Sequence, residues 1–343
     1  MDTSIKTSSL EDLGKLMEDM GQPSFRGRQL YEWLHTHHVS SYDEMTNLPK
    51  ALREQLAERF PLEQLRLVDK QVSKDGTRKY VFSLVDGVQV ETVGIPSRSA
   101  DGSRLTVCVS TQAGCPMGCS FCATGQEGLT RSLASHEIVD QVHAVQKDFE
   151  ARVSNVVAMG QGEPFLNYDA TLAAFRKLNE KQGLNIGARH MTISTCGIIE
   201  GIDRLSLEPE QFTLAISLHA ATQLARNALM PKVASQPLPE LREALERYTE
   251  RTGRRVTLEY LLIQDINDSD DDKDALVAFC HGMLCHVNLL PMNHVDGYDF
   301  KPVPAKVLQE WCDELNRRHV SATVRTSHGS DIAGACGQLK NKL

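Results

Sequence analysis

The chain has 343 residues and a net charge of −8, and 41% of its residues are hydrophobic. This length suits one large α/β domain with a smaller one, and the acidic balance argues against a protein coated in nucleic acid, although it allows a local basic patch. No apolar run approaches the length of a membrane span, and no apolar signal segment opens the chain, so we expect a cytoplasmic protein with no membrane contact. Nine cysteines, an odd number, indicate a reducing compartment and metal or catalytic use.

Residues 1–95 are predicted to form a small accessory domain that is mainly helical. Apolar residues recur at helical spacing between Leu10 and Met20, and helices follow over 28–38 and 48–60. The period then changes to the alternation of two strands joined by a turn at Asp86-Gly87. The hairpin carries a basic cluster, which is either a solvated edge or a phosphate-contacting surface. Its members are Lys70, Lys74, Arg78 and Lys79.

From residue 96 to 343 the pattern alternates between strands and helices. Such alternation predicts parallel strands with crossover helices, and six or seven repeats indicate a barrel or part of one. Active sites of such barrels lie at the carboxyl ends of the strands. The predicted strands cover 105–110, 155–160, 190–195, 212–219, 255–263, 286–291 and 321–326.

Three cysteines, Cys115, Cys119 and Cys122, follow the first of these strands at the spacing C-x3-C-x2-C. Three thiolates can hold three irons of a [4Fe-4S] cluster and leave the fourth iron open to a substrate. A structural zinc site would need a fourth ligand, which is missing locally. The alternatives are a zinc loop or three buried cysteines. The spacing favours the cluster and resembles the signature of radical S-adenosylmethionine (SAM) enzymes.

Polar or small residues stand at the ends of further predicted strands, where they can converge on one polar ligand. Glycines permit close approach of the backbone, and Glu163 can accept an ammonium group. Cys336 lies between small residues near the C-terminus, which predicts an accessible thiol. The strand-end residues are Gly162, Glu163, Ser194, Ser217, His219 and Asn293.

Several blocks of the chain together resemble the RlmN/Cfr family of radical SAM RNA adenosine methyltransferases. The resemblance covers nearly the whole chain. It includes VCVSTQAGCPMGCSFCATG, MGQGEPFLNYD, RHMTISTCGII, LAISLHA and VRTSHGSDIAGACGQL. It implies an α/β fold in which a mainly helical accessory domain precedes a partial (β/α)6 barrel.

The resemblance also implies a role for each site residue. Cys336 would carry an S-methyl group, Cys108 would resolve the intermediate, and Glu91 would accept a proton. The three cysteines of the loop would hold the cluster. SAM would be bound by Gly162, Glu163, Ser194, Ser217, Leu218, His219 and Asn293.

The chemistry implied by the resemblance uses two SAM molecules in each turnover. One methylates Cys336, and the second yields a radical that activates this methyl group for addition to adenine. A cysteine thiolate is suited to the first step because it is a strong nucleophile. The remaining cysteines are predicted to pack in the interior. They are Cys196, Cys280, Cys285 and Cys312.

We therefore expect a monomeric enzyme that methylates C2 of an adenosine in 23S rRNA, with tRNA as a further substrate and flavodoxin or ferredoxin as electron donor. The rival within the family is C8 methylation, as in the antibiotic-resistance branch. Rivals of another class are a radical SAM enzyme for a small molecule and a non-catalytic Fe-S protein. Several residues depart from the family pattern, among them Gln161, Ser132, Cys196 and the segment 231–233.

Overall fold

The computed structural model describes residues 4–97, 104–126, 128–295, 297 and 299–340. Within these residues, no helix has both the length and the apolar character needed to cross a membrane. The strands are β1 (Arg66–Val72), β2 (Arg78–Ser83), β3 (Gln89–Ser97), β4 (Arg104–Cys108), β5 (Gln112–Gly114), β6 (Leu129–Ser132), β7 (Val153–Ala158), β8 (Met191–Thr195), β9 (Thr213–Ser217), β10 (Val256–Leu262), β11 (Cys285–Pro291) and β12 (Ala322–Val324). The helices are α1 (Leu10–Asp19), α2 (Phe25–His35), α3 (Lys50–Arg59), α4 (Ala123–Gln126), α5 (Ser135–Phe149), α6 (Tyr168–Asn179), α7 (Ile199–Leu205), α8 (Gln223–Leu229), α9 (Leu238–Thr252), α10 (Asp270–Cys280) and α11 (Ala305–Arg317).

Ten strands form one sheet in the order β1-β2-β3-β4-β7-β8-β9-β10-β11-β12. The pairs from β4 to β12 are parallel, whereas β1 to β4 pair in antiparallel fashion. Since parallel strands point the same way, their carboxyl ends meet at one edge. The predicted fold class, a partial barrel preceded by a mainly helical unit, is confirmed, and each of the seven predicted barrel strands is present.

Three strands, β1, β5 and β6, escaped the sequence prediction. Strand β1 is a charged, largely exposed edge strand, and it therefore lacks the apolar alternation that marks a half-buried strand. Strands β5 and β6 form a separate two-stranded hairpin that is too short to show a period. The predicted turn at Asp86-Gly87 does join β2 to β3, with Gly87 at a φ of 85°.

Helices α1, α2 and α3 enclose a core of their own. Leu13, Met17 and Leu30 are fully buried there. Helix α1 begins where the sequence indicated, because the Ser9 side chain accepts from the Asp12 N–H and the Asp12 carboxylate accepts from the Ser9 N–H. The hairpin β2–β3, by contrast, pairs with the barrel strand β4. A single accessory domain over 1–95, with the barrel over 96–343, therefore stays a prediction.

Buried polar contacts join this helical unit to α5 of the barrel. Lys6 Nζ lies 2.7 Å from an Asp140 carboxylate oxygen, and both side chains are buried. The rings of His38 and His143 stack with their centroids 3.9 Å apart. Burial lowers the pKa of His38 to about 3, and it holds the pKa of His143 well below the ordinary value. His38 and His143 thus belong to a packed interface between the helical unit and α5.

Acid should destabilise the protein through these histidines. Burial lowers the pKa of His35, His38, His143 and His219 in the folded state, whereas the unfolded chain takes up protons near pH 6.5. The unfolded state therefore binds more protons between about pH 6.5 and 3, so the free energy of unfolding falls as pH drops through that window. Each histidine contributes up to about 1.4 kcal/mol per pH unit. Thermal melts at pH 7.5, 6.5 and 5.5 would measure the slope.

A matched pair of variants tests the origin of this slope. We expect His38→Gln to melt with a weaker dependence on pH than the unmodified chain. His190→Gln, at an exposed position, should leave the dependence unchanged. Equal slopes for all three proteins would contradict a role for the buried imidazoles.

Candidate active site

The three-cysteine loop connects the strands of the β5–β6 hairpin. The Cys115 N–H donates to the Gly128 carbonyl at 2.9 Å, which closes the loop at its base. Gly114 adopts a φ of 76°, and a Cβ there would collide with the Gly128 carbonyl oxygen, so the position requires glycine. On the far side, the Ser120 N–H donates to the Leu229 carbonyl of α8 at 2.9 Å. The loop is thus anchored both at the base of the hairpin and by α8.

The three thiols face one another in a partly buried site. Burial, together with the neighbouring charges of Cys122 and Glu163, raises the pKa of Cys115 to about 12. Burial and the charges of the other two cysteines also raise the pKa of Cys119, whereas Arg226 acts in the opposite direction. Thiolates this close repel one another unless a metal centre binds them, and soft thiolate donors suit iron–sulfur clusters. The donor set of three cysteine thiols fits a [4Fe-4S] cluster.

The turn after β7 carries Gly162 and Glu163 beside this loop. Gly162 has a φ of 107°, and a Cβ would lie 2.7 Å from the Cβ of Gln112, so only glycine fits. Glu163 is buried, and its carboxylate accepts from the N–H groups of Phe165 at 3.0 Å and Cys196 at 2.7 Å. Burial raises the pKa of Glu163 and these hydrogen bonds oppose the rise. A buried carboxylate in this place can take a cationic group of a ligand.

Ser194, Ser217 and Leu218 lie at the ends of β8 and β9, which are neighbours in the sheet. Leu218 is fully buried. Its N–H donates to the backbone carbonyl of Glu259, and its own carbonyl accepts from the Arg226 guanidinium. The backbone of Leu218 is therefore engaged within the protein. The two serines are on neighbouring strands at the same edge, as the sequence predicted.

His219 is buried at this edge with a left-handed backbone, φ 56°. Burial lowers its pKa to about 3, with the positive charge of Arg226 adding to the effect. Its Nδ1 accepts from the Leu261 N–H at 3.1 Å, and the proton of the neutral ring is then on Nε2. His219 is therefore a neutral hydrogen-bond donor at neutral pH.

Arg226, on α8, was not recognised as a site residue from the sequence. Its side chain is completely buried, and it donates to the carbonyls of Ser217 at 3.1 Å, Leu218, and Cys196 at 2.6 Å. Burial lowers its pKa to about 10. The short helix that carries it has no long apolar period, so only the fold shows that this arginine lies inside the barrel mouth.

The C-terminal segment folds back over the cysteine loop. The Ala123 N–H donates to the Gly337 carbonyl at 2.7 Å, and the Thr124 hydroxyl donates to the Leu339 carbonyl at 2.7 Å. Asn293 donates its side-chain amide to the Cys336 carbonyl at 3.2 Å. These contacts place Cys336 at the edge where the other predicted site residues lie.

Cys336 is an exposed residue, although its thiol lies among protein atoms that remove part of its solvation. Loss of water raises its pKa, the charges of Glu259 and Cys122 add to the rise, and Arg325 opposes it. Cys108 is buried at the end of β4, where burial and then the charge of Cys336 raise its pKa. The two predicted catalytic cysteines, which are distant in the sequence, thus lie within electrostatic range of each other. Both are free thiols.

Glu91 lies on β3, two residues before Val93, and Val93 pairs with Cys108. The Glu91 side chain is buried, with one carboxylate oxygen 3.2 Å from Lys79 Nζ. The other oxygen accepts from the Lys340 N–H at 2.6 Å. Glu91 therefore connects the hairpin to the C-terminal segment that carries Cys336.

The basic cluster of the hairpin is not one free surface. Lys79 is buried against Glu91, which excludes it from direct contact with RNA phosphates. Lys70 and Arg78 pair with Asp148 of α5 at 2.8 and 2.7 Å. Lys74 is exposed. The sequence could not reveal this, because the alternation of the hairpin does not indicate which cations face carboxylates.

Three residues that depart from the family pattern take up defined contacts. The Gln161 side-chain oxygen accepts from the Glu91 N–H at 3.1 Å. The Ser132 hydroxyl accepts from the Gln112 amide at 3.2 Å. The Cys196 N–H holds the Glu163 carboxylate. None of these contacts displaces a predicted cluster ligand.

Comparison with known proteins agrees with this arrangement. The profile of the Radical SAM superfamily matches residues 109–276, and that of the ribosomal RNA large subunit methyltransferase N-terminal domain matches residues 5–62. A probable dual-specificity RNA methyltransferase RlmN of Geobacillus kaustophilus is 45% identical over 342 residues, which cover 99% of this chain and 93% of the relative. The chain belongs to the RlmN family of radical SAM RNA methyltransferases.

Further relatives of the RlmN family support the assignment. A probable dual-specificity RNA methyltransferase RlmN of Synechococcus elongatus is 45% identical, over 97% of this chain and 92% of that one. The crystal structure of a radical SAM methyltransferase from Sphaerobacter thermophilus has a TM-score of 0.94 and 43% identity, and it covers 99% of this chain and 100% of that one. The predicted family is confirmed. Its cofactors are a [4Fe-4S] cluster and SAM, and the comparisons do not favour a small-molecule enzyme or a non-catalytic Fe-S protein.

Proposed function

We propose that the chain transfers a methyl group to C2 of an adenosine in 23S rRNA, and of an adenosine in tRNA as a second substrate. The observation that carries this proposal is the packing of Cys108 against Leu339, three residues beyond Cys336, in a C-terminal segment whose Gly337 carbonyl accepts from the Ala123 N–H next to the cysteine loop. The choice of C2 rests on the resemblance to the RlmN branch, and the expectation of two RNA substrates rests on relatives of 45% identity that are named dual-specificity RNA methyltransferases.

We further propose that Cys115, Cys119 and Cys122 hold the cluster, and that the strand-end residues hold SAM. Glu163 would take the ammonium group, and the neutral His219 would donate a hydrogen bond. When bound, the cluster and SAM supply a methyl group and a carbon-centred radical. The protein's part is to place the methyl acceptor close to them. Asn293 and the backbone of Ala123 do this by fixing the segment around Cys336.

Cys336 acts as the carbon carrier. Its thiolate accepts the methyl group, and the positive charge of Arg325 favours that thiolate. After the carbon has bonded to adenine, the thioether links Cys336 to RNA. Cys108 attacks the Cys336 sulfur; the S–S bond forms as the carbon–sulfur bond breaks, and the carbon keeps the electron pair, stays on adenine and takes a proton from solvent to become the methyl group. A thiol reductant of the cell then restores both cysteines.

Glu91 is the proposed proton acceptor for the adenine ring hydrogen. A buried carboxylate is protonated unless a cation or donors stabilise its charge. Lys79 and the Lys340 N–H provide both, one to each carboxylate oxygen. In the structure these contacts occupy the carboxylate, so movement of the segment around Lys340 would free the oxygen that takes the proton.

Loss of the Glu91 carboxylate should slow turnover by about 10²- to 10⁴-fold, the usual worth of a general base. We expect Glu91→Gln to methylate Cys336 normally and then to accumulate the RNA-linked protein. Lys79→Met should also slow turnover, because the buried carboxylate loses the cation that stabilises its charge. Single-turnover assays measure both effects. Lys74→Met, at an exposed site on the same hairpin, serves as control, and an equal loss of rate in that variant would contradict the assignment.

The partners follow from the family and from the chain. We propose that residues 1–95 help to bind RNA, that flavodoxin or ferredoxin delivers the electrons, and that the protein works as a monomer in the cytoplasm. The free state of all nine cysteines suits a reducing compartment. Within the basic cluster, Lys70 and Lys74 are exposed to solvent, and Lys70 also pairs with Asp148.

Nucleoside analysis tests the function directly. Unmodified 23S rRNA fragments and tRNA are treated with the reconstituted protein, SAM and a reductant, and are then digested for mass spectrometry. We expect 2-methyladenosine from both RNAs. 8-Methyladenosine, or no methylated adenosine, would overturn the proposal.

A further inference from the structure

Arg226 is a buried cation without a carboxylate partner. Its side chain is fully buried, and within the described residues its hydrogen-bond acceptors are three backbone carbonyls and the Met230 sulfur. It takes part in no ion pair there. Burial of an unpaired charge is costly, and carbonyl dipoles offset that cost only in part. An anion other than a carboxylate of the protein would therefore stabilise the buried Arg226 guanidinium.

The surroundings of Arg226 indicate where that anion lies. One turn further along α8, the Leu229 carbonyl accepts from the N–H and hydroxyl of Ser120, which lies inside the cysteine loop. Met230 and Leu229 pack in one apolar cluster with Cys119 and Cys122. The guanidinium thus lies between the loop and the ends of β8 and β9.

We propose that Arg226 is a positioning residue that supplies the fixed positive charge opposite the iron–sulfur centre and thereby raises its reduction potential. The inference rests on the proposed assignment of Cys115, Cys119 and Cys122 as ligands. A cluster bound by three thiolates carries net negative charge and gains another on reduction, and charge near a cluster is one determinant of its potential. A cation at this position favours the reduced form. The same side chain joins the end of β8 to that of β9, so charge and strand geometry depend on one residue.

Two substitutions separate the charge from the hydrogen bonds. Arg226→Gln keeps amide donors but removes the charge, whereas Arg226→Lys keeps the charge but loses the fork. Arg242 offers a matched control, since it also donates to three carbonyls, those of Ala278, Phe279 and His281, but lies on α9 and is not buried. The midpoint potential of the reconstituted cluster is read by anaerobic redox titration with electron paramagnetic resonance, without RNA.

We expect Arg226→Gln to lower the equilibrium constant for one-electron reduction at least tenfold, which is about 59 mV. Arg226→Lys and Arg242→Gln should stay within threefold of the unmodified protein. An unchanged potential in Arg226→Gln, or an equal shift in Arg226→Lys, would overturn the proposal.

If Arg226→Gln binds no cluster, iron and sulfide content provides the second readout. Retention of the cluster in Arg226→Lys then supports the role of the charge, and its loss in both variants overturns it. Failure of the unmodified protein to hold a cluster would be a different result. It would refute the assignment of the three cysteines as ligands, and it would do so before any potential of the Arg226 variants is measured.

Discussion

Replacing Cys108 with Ala is expected to leave RNA joined covalently to the protein through a methylene bridge. The variant should assemble the cluster, methylate Cys336 and form the bond to adenine, because none of these steps uses Cys108. It should then stall, since no thiolate can attack the Cys336 sulfur. Turnover should fall to background. A denaturing gel with labelled RNA would show a shifted band that ribonuclease removes.

Cys336→Ala provides the matched control, because it loses the sulfur that carries the carbon. It should give no turnover and no shifted band, although it keeps the cluster. Two substitutions that both abolish product thus give opposite results on the gel. The structure supports this contrast, since Cys108 is buried beside Cys336 and both are free thiols. Product release by Cys108→Ala at the normal rate would return Cys108 to a packing role in β4.

Removal of the three loop thiols should have the second large effect. The triple variant of Cys115, Cys119 and Cys122 to Ala is expected to lose the visible iron–sulfur absorption and all methyl transfer. The three loop thiols are partly buried, and thiolates are the donors that iron–sulfur clusters require. Absorption spectra and iron content after anaerobic reconstitution measure the loss.

Cysteines outside the loop give the control for this prediction. Cys285→Ala and Cys312→Ala should retain the cluster, because both residues pack in the main hydrophobic core away from the loop. The only effect expected in these two variants is a lower free energy of unfolding, because the missing sulfur leaves a cavity. A complete four-iron cluster in the triple loop variant would show that the ligands lie elsewhere.

The sequence predicted the barrel strands because buried parallel strands read as apolar runs, whatever their neighbours are. It predicted the cysteine loop because ligand spacing within a single loop is local. The strand-end residues followed from the rule that parallel strands end at one edge. The proximity of Cys108 to Cys336 needed the family resemblance, because no local pattern connects a strand end with a C-terminal segment.

What the sequence could not show depends on partners distant in the chain. Lys79 reads as a surface cation, yet it pairs with Glu91 in the interior. Arg226 lies in a short helix whose polar residues give no sign of burial, and its acceptors come from the ends of two strands. Strand β1 was missed because an exposed edge strand buries neither face. In each case the residue's role is set by tertiary contacts.

The central claim is that the transferred carbon passes through Cys336 before it reaches C2 of adenine. The most direct test supplies SAM whose methyl group is fully deuterated and analyses the modified adenosine by mass spectrometry. The account predicts 2-methyladenosine whose methyl group carries one deuterium fewer than was supplied, because a hydrogen leaves the carbon while it is bound to Cys336. A product that keeps the whole labelled methyl group would mean direct transfer from SAM to adenine and would contradict the role of Cys336.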